Sequence, residues 1–128
     1  MKLLLDTHSF LWFIGGSSKL SVNARMLIED LSNQSVLSVA SLWEIAIKVS
    51  SGKLSLVQPF ETFIPQQMSL NGIELLEISF PHTVVVATLP FHHRDPFDRL
   101  LIAQAIVEQI PIVGCDTKFD AYAITRLW

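Results

Sequence analysis

One cysteine, Cys115, is all the chain holds in 128 residues, alongside four histidines. A lone thiol excludes an intramolecular disulfide, and the two counts together exclude a cysteine-rich structural zinc site. Both suit a reducing cytosol, so a cytoplasmic protein is expected. No run approaches the roughly 18 uncharged apolar residues that a helix needs to cross a bilayer, so no membrane role is expected. The N-terminal apolar run is stopped by Asp6 with no small-residue cleavage site after it, which counts against a signal peptide. The chain has neither a G-x-x-x-x-G-K-[ST] loop nor a G-x-G-x-x-G turn, and no G-x-S-x-G elbow. Nucleotide-binding folds and serine hydrolases therefore lose their signatures. No aspartate lies between Asp30 and Asp95, which removes the mid-chain phospho-acceptor of a receiver domain. Basic excess is also missing: nine Lys and Arg against twelve Asp and Glu leave a net charge of -3. Taken at face value, that balance argues against a nucleic-acid partner.

Apolar residues are what the chain has in quantity, at 50% of the total. This is too apolar for disorder, and the length fits one domain, residues 1–128, with a core that needs no staples. The surplus points to a surface that meets a partner or a second copy.

Two kinds of segment alternate. Lys2–Asp6 reads as a strand buried on both faces. Thr7 to Ile14 is helix-compatible and stops at Gly15-Gly16. Ser21 caps a second helix with Val22, Met26, Leu27 and Leu31 along one face. Ser35–Val39 is a second strand, and Ala40–Ser51 a helix with Leu42, Ile45, Ala46 and Val49 on one face, a Glu44–Lys48 pair and Gly52 at its end. Pro59 opens a further helix that Pro65 should kink or divide. Ile73–Ile78 is a third strand, and Phe80–Leu89 a short helix closed by Pro90. The clearest start follows, with Asp95 as N-cap, Pro96 in the first helical position and Asp98 in the first turn. Pro111–Gly114 is a fourth strand, Thr117–Tyr122 a helical turn and Ile124–Leu127 a last short strand. Strand and helix in alternation predict one α/β domain on a parallel sheet with helices on both faces.

In such sheets ligands bind beyond the carboxyl ends of the strands. Asp6 ends the first strand, Asp116 follows the fourth, Asp98 opens the helix leading into the fourth, and Glu44 lies in the helix after the second. Each has an ordinary use when taken alone: a cap for Asp6 or Asp116, a dipole charge for Asp98, a solvated ion pair for Glu44. Asp95 is read as a cap and Asp120 as an exposed acid at the site's edge. Brought together, the four would repel one another and raise each other's pKa unless a divalent cation were bound. Mg²⁺ and Mn²⁺ favour such hard oxygen ligands. A carboxylate-held metal of this kind serves phosphodiester hydrolysis.

The stretches Leu3-Leu4-Leu5-Asp6-Thr7-His8, Ser41-Leu42-Trp43-Glu44-Ile45-Ala46-Ile47-Lys48, His93 to Ala105 with its Asp95-Pro96-Phe97-Asp98-Arg99 block, and Asp116-Thr117-Lys118-Phe119 resemble the PIN domain. The likeness is to the VapC-like toxins of prokaryotic toxin–antitoxin pairs and runs from residue 2 to residue 127. It implies a three-layer α/β/α sandwich with a central parallel sheet and a Mg²⁺- or Mn²⁺-dependent endoribonuclease. Catalytic and metal roles then fall on Asp6, Glu44, Asp98 and Asp116. The resemblance also implies an RNA substrate, a homodimer, and inhibition by a cognate antitoxin. Cys115 departs from the small residue or hydroxyl the family often has before the last acid; a buried, inert thiol is expected there. Thr7 either hydrogen-bonds a carboxylate or metal-bound water, or caps the next helix. Arg94 and Arg99 are placed to meet RNA phosphate, Arg99 alternatively to hold a carboxylate. His92 and His93 are expected to be solvated, and Trp12, Phe13 and Trp43 to serve the core or a dimer interface. The competing reading is a non-cutting PIN-like module that binds RNA or protein; retention of all four acids weighs against it. Setting those four acids aside as metal ligands leaves eight negative charges against nine positive. The net charge then no longer argues against RNA.

Overall fold

Leu3, Leu4 and Leu5 are all fully buried, yet they belong to two different cores. Successive side chains of a strand point to opposite faces. Leu3 and Leu5 pack with Phe10, Ala24, Ile28, Ile45 and Ile64, whereas Leu4 packs with Leu101, Ile102, Ala105 and Phe119. A strand with apolar side chains in both directions must lie between two helical layers.

The computed structural model describes residues 1–128. In chain order the elements are β1 (Lys2–Leu5), α1 (Thr7–Ile14), α2 (Val22–Glu29), β2 (Gln34–Ser38), α3 (Val39–Ser50), α4 (Phe60–Leu70), β3 (Glu74–Leu76), α5 (Phe80–Thr88), α6 (Pro96–Glu108), β4 (Ile112–Val113), a 3₁₀ turn (Thr117–Ala121) and β5 (Arg126–Leu127). The five strands stand in the order β3-β2-β1-β4-β5, and every pairing is parallel. Residues of α1 to α4 pack on one face of the sheet, and Leu101, Ile102 and Ala105 of α6 with Phe119 of the 3₁₀ turn on the other. This is the expected three-layer α/β/α arrangement. The strand order reverses between β1 and β4, so the crevice at their carboxyl ends is the switch point where such sheets bind ligands.

Several boundaries differ from expectation, each for a local reason. Asp6 is not the last strand residue but the N-cap of α1, accepting from Ser9 N at 2.7 Å. Val39 belongs to α3 because Ser38 caps that helix through Ala40 N. β3, β4 and β5 are shorter than expected. Pro111 offers no N–H and contributes only its carbonyl, to Leu4 N at 2.9 Å. The buried face of α2 is Ala24 and Ile28, continued by Leu20; Val22, Met26 and Leu31 are exposed. The i, i+4 row 20-24-28 carries a small residue where the helix approaches the sheet, and side-chain size misled the expectation.

Pro65 neither divides nor ends α4, which runs through it. The proline is exposed, so the Glu61 carbonyl it leaves without a partner faces water. Pro65→Ala should therefore stabilise the chain, by about 1–3 kcal/mol, since it restores a helical N–H and removes the ring's crowding. Denaturant unfolding measures this; a destabilised variant would mean the proline shapes a contact of α4.

Candidate active site

The acids at the strand ends divide their labour by oxygen. Asp6 spends Oδ1 on the N–H of Ser9, which starts α1. Its Oδ2 lies over Gly114, where a Cβ would approach to 2.8 Å. Only glycine leaves the Asp6 carboxylate room beside the end of β4. Asp116 spends Oδ1 on Lys118 N at 2.9 Å to start the 3₁₀ turn and turns Oδ2 toward the crevice. Asp98 needs neither oxygen for the backbone, because Asp95 Oδ1 caps α6 by accepting from Asp98 N at 3.0 Å. Asp6 and Asp116 thus cap through one oxygen and keep the other free of the backbone, while Asp98 keeps both.

Glu44 is buried although charged. Lys48 Nζ lies 2.9 Å from its Oε2, one helical turn on, so the pair expected to be solvated is only partly so. Thr7 Oγ1 donates to Glu44 Oε1 at 2.7 Å and sits 2.9 Å from Ser41 Oγ. Thr7 is therefore a carboxylate partner, since Asp6 is the cap.

His93 is the residue that sequence reasoning missed. It is buried, not solvated, and its Nε2 lies 2.8 Å from Asp116 Oδ2 and 3.1 Å from Asp98 Oδ2. One ligand atom each from His93, Asp98 and Asp116 falls within 4.8 Å of the others, a group that Asp6 and Glu44 do not join. The only cue in the chain was its position two residues before the Asp95 cap. Its neighbour His92 is exposed and meets Tyr122 edge-on at 5.2 Å.

Arg99 is neither an RNA ligand nor a carboxylate partner. It is buried, and its guanidinium donates to the carbonyls of Val86, Leu89, Pro90 and His93 at 3.0 to 3.4 Å. The Leu89, Pro90 and His93 carbonyls lie past the end of α5 without helical partners, and a planar five-donor group satisfies them at once. Arg94 is exposed and makes no hydrogen bond or ion pair. Asp120 is exposed, as expected, and is held by Arg126 at 2.9 and 3.0 Å. Trp12 and Phe13 pack against the first core, but Trp43 is exposed and meets Phe97 edge-on at 5.2 Å.

Electrostatics tie the outer acids to the inner ones. Burial, then Asp95, and further Asp6 and Glu44, push the Asp98 carboxyl up to about 7. Burial also raises Asp6, against the pull of the Ser9 hydrogen bonds. Partial burial works to raise Asp116 as well, but the Lys118 N–H and the His93 ring outweigh it and hold the carboxyl below its ordinary range. Cys115 is exposed, contrary to expectation. What shielding its sulfur has, and the Asp6 and Asp116 charges, push its thiol up and so disfavour the thiolate. Crowded carboxylates with unspent oxygens, one of them forced toward its neutral form, suit a hard divalent cation.

Residues 3–124 match the sequence profile of the PIN domain. Ribonuclease VapC16 of Mycobacterium tuberculosis is 37% identical over 59 residues, which are 46% of this chain and 42% of that protein. The match thus spans less than half the length of that curated relative. The VapBC2 structure from Rickettsia felis, bound to a promoter DNA fragment, superposes with a TM-score of 0.73 at 19% identity, covering 99% of this chain and 98% of that one. DNA-bound VapBC from Salmonella typhimurium gives 0.71 at 15% identity, covering 99% and 97%. At these identities the two structures speak to fold.

The raised Asp98 carboxyl carries a pH signature. Folded, it keeps a proton up to about pH 7 that the unfolded chain, near the ordinary 3.8, has already released. The folded state binds more protons in that window, so metal-free stability falls as pH rises from roughly 4 to 7. Asp98→Asn should remove most of this loss and melt at or above the wild type at pH 8 in EDTA. Thermal unfolding at pH 5 and pH 8 measures it; strong destabilisation of the variant at both would make Asp98 chiefly structural.

Proposed function

This chain belongs to the PIN domain family, and from that premise we propose that it is a metal-dependent endoribonuclease, the toxin of a type II toxin–antitoxin pair. The observation that supports the reading is the setting of Asp98: burial first, then Asp95, with Asp6 and Glu44 adding to it, lifts its carboxyl to about 7, and Asp116 stands beside it across the His93 ring. Asp6, Glu44, Asp98 and Asp116 are the residues that hold Mg²⁺ or Mn²⁺. The bound ion supplies polarisation of the scissile phosphate and an activated water.

The chain's own side chains do the rest. Thr7 and Lys48 fix the Glu44 carboxylate from two directions, and Asp6 is aimed by its own capping bond. Arg94, exposed and unpaired in the loop beside the cluster, meets the RNA backbone. RNA is the substrate, as the ribonuclease name of the mycobacterial relative suggests. The VapBC complexes among the structural neighbours favour a cognate antitoxin as partner. Exposed Trp43 and Ile47 on α3, with Phe80 and Val84 on α5, supply apolar surface for a homodimer. No helix is long and apolar enough to cross a membrane, and we place the protein in the cytoplasm.

Incubation with total RNA tests the reading. Cleavage should appear with Mg²⁺ or Mn²⁺, vanish with EDTA, and fall at least about 100-fold in Asp98→Asn. RNA should also bind weakly without metal and more tightly once the pocket is neutralised. Binding with no metal-dependent cleavage at any salt concentration would make the protein a non-cutting module.

A further inference from the structure

We propose that His93 is a positioning residue, a fixed hydrogen-bond donor that holds Asp98 and Asp116 side by side and does not itself coordinate the cation. The inference rests on the reading that this site binds a divalent ion. The distances alone do not decide between donor and ligand. Nε2 lies 2.8 and 3.1 Å from the two carboxylate oxygens. The Asp116 contact is a hydrogen bond and the Asp98 contact an ion-pair distance beside it, but two adjacent ligands on an octahedral ion also stand about 3 Å apart.

The other ring nitrogen decides. Nδ1 accepts from the backbone N–H of Asp95 at 3.2 Å. A peptide N–H only donates, so Nδ1 must present its lone pair there. A neutral imidazole has one proton, which is then on Nε2 and points at the carboxylates. Coordination through Nε2 would require the proton on Nδ1, facing another donor. Metal-bound histidines show the reverse arrangement, giving the second N–H to a carbonyl or carboxylate. His82, remote in sequence, repeats the device: its Nδ1 accepts from Ser79 N at 3.0 Å while Nε2 faces Glu108 Oε2 at 3.1 Å.

The backbone of His93 is equally committed. Its N–H donates to Tyr122 Oη at 2.8 Å, and Tyr122 in turn donates to Pro90 O at 2.6 Å. Its carbonyl accepts from Arg99 Nη1 at 3.2 Å. Every polar atom of the residue is therefore engaged, and the ring can neither flip nor retreat without breaking a bond. The Arg99 clamp thus fixes the backbone of the loop that carries this ring. A donor held between two carboxylates keeps their oxygens near one another before any cation arrives.

Mn²⁺ alone serves as the probe, with pulsed electron paramagnetic resonance to detect directly coordinated nitrogen and a binding titration to measure affinity. Wild-type protein should bind Mn²⁺ and show no coordinated nitrogen. His93→Gln, which keeps an N–H near the Nε2 position, should bind within about 3-fold of wild type. His93→Phe keeps a ring without the donor and should lose about 10–100-fold, the usual cost of removing a partner of a metal ligand. A coordinated-nitrogen signal in the wild type, or unchanged affinity in His93→Phe, overturns the proposal. If His93→Phe does not fold, the wild-type spectrum and the His93→Gln affinity decide. A wild-type protein that takes up no Mn²⁺ at all would overturn the metal reading itself, an outcome distinct from nitrogen coordination.

Discussion

Carboxylates that repel one another are gathered at the end of a sheet whose core is otherwise apolar, and much of the molecule is arranged to keep them there. The strand order reverses between β1 and β4, so Asp6 and Asp116 arrive on either side of one crevice. Asp98 is delivered by the first turn of α6, and Glu44 by the second turn of α3. Nothing local favours this concentration of charge. Asp6 and Asp116 are anchored by caps that the backbone needs anyway, Asp98 is placed by the Asp95 cap on its own N–H, and Glu44 is held by the Lys48 and Thr7 side chains. The electrostatic tension appears in the raised Asp98 and Asp6 carboxyls.

Space is as constrained as charge. Gly114 lies where a side chain would collide with Asp6 Oδ2 and with the Phe119 ring. Phe119 belongs to the second core, so the floor of the site is continuous with the packing that holds α6 to the sheet. Arg99 ties the end of α5 and its following loop to α6 by carbonyl contacts, and that loop carries His93. The stability of the second layer and the geometry of the acid cluster are therefore not separable, because they share Phe119, Arg99 and Tyr122.

The parts of this architecture that could be read along the chain were those with a local cause. Apolar Leu3-Leu4-Leu5 implied a strand covered on both faces, and Asp95-Pro96 implied a helix start, because burial and capping depend on near neighbours. The alternation of strands and helices implied a parallel sheet, and of the four acids expected at its edge, Asp98 and Asp116 stand in one close group with His93. Size and periodicity were poorer guides where packing chose otherwise. Ala24 and Ile28, not Val22 and Met26, face the sheet from α2, and Pro65 rides inside α4 on the solvent side.

Residue type and order alone thus settled the α/β alternation and the places of Asp6 after β1 and Asp116 after β4, since those follow from hydrophobic pattern, caps and connection rules. Folding in three dimensions assigned what each polar side chain does. Arg99 became a clamp for carbonyls because helix α5 ends against it. His93 was drawn from a loop into the acid cluster because Tyr122, Asp95 and Arg99 hold it from three sides. Thr7 went to Glu44 because the adjacent Asp6 had taken the cap. Such partners lie up to 37 residues apart along the chain. A hydrogen bond depends on ångström-scale placement that no spacing in the sequence encodes.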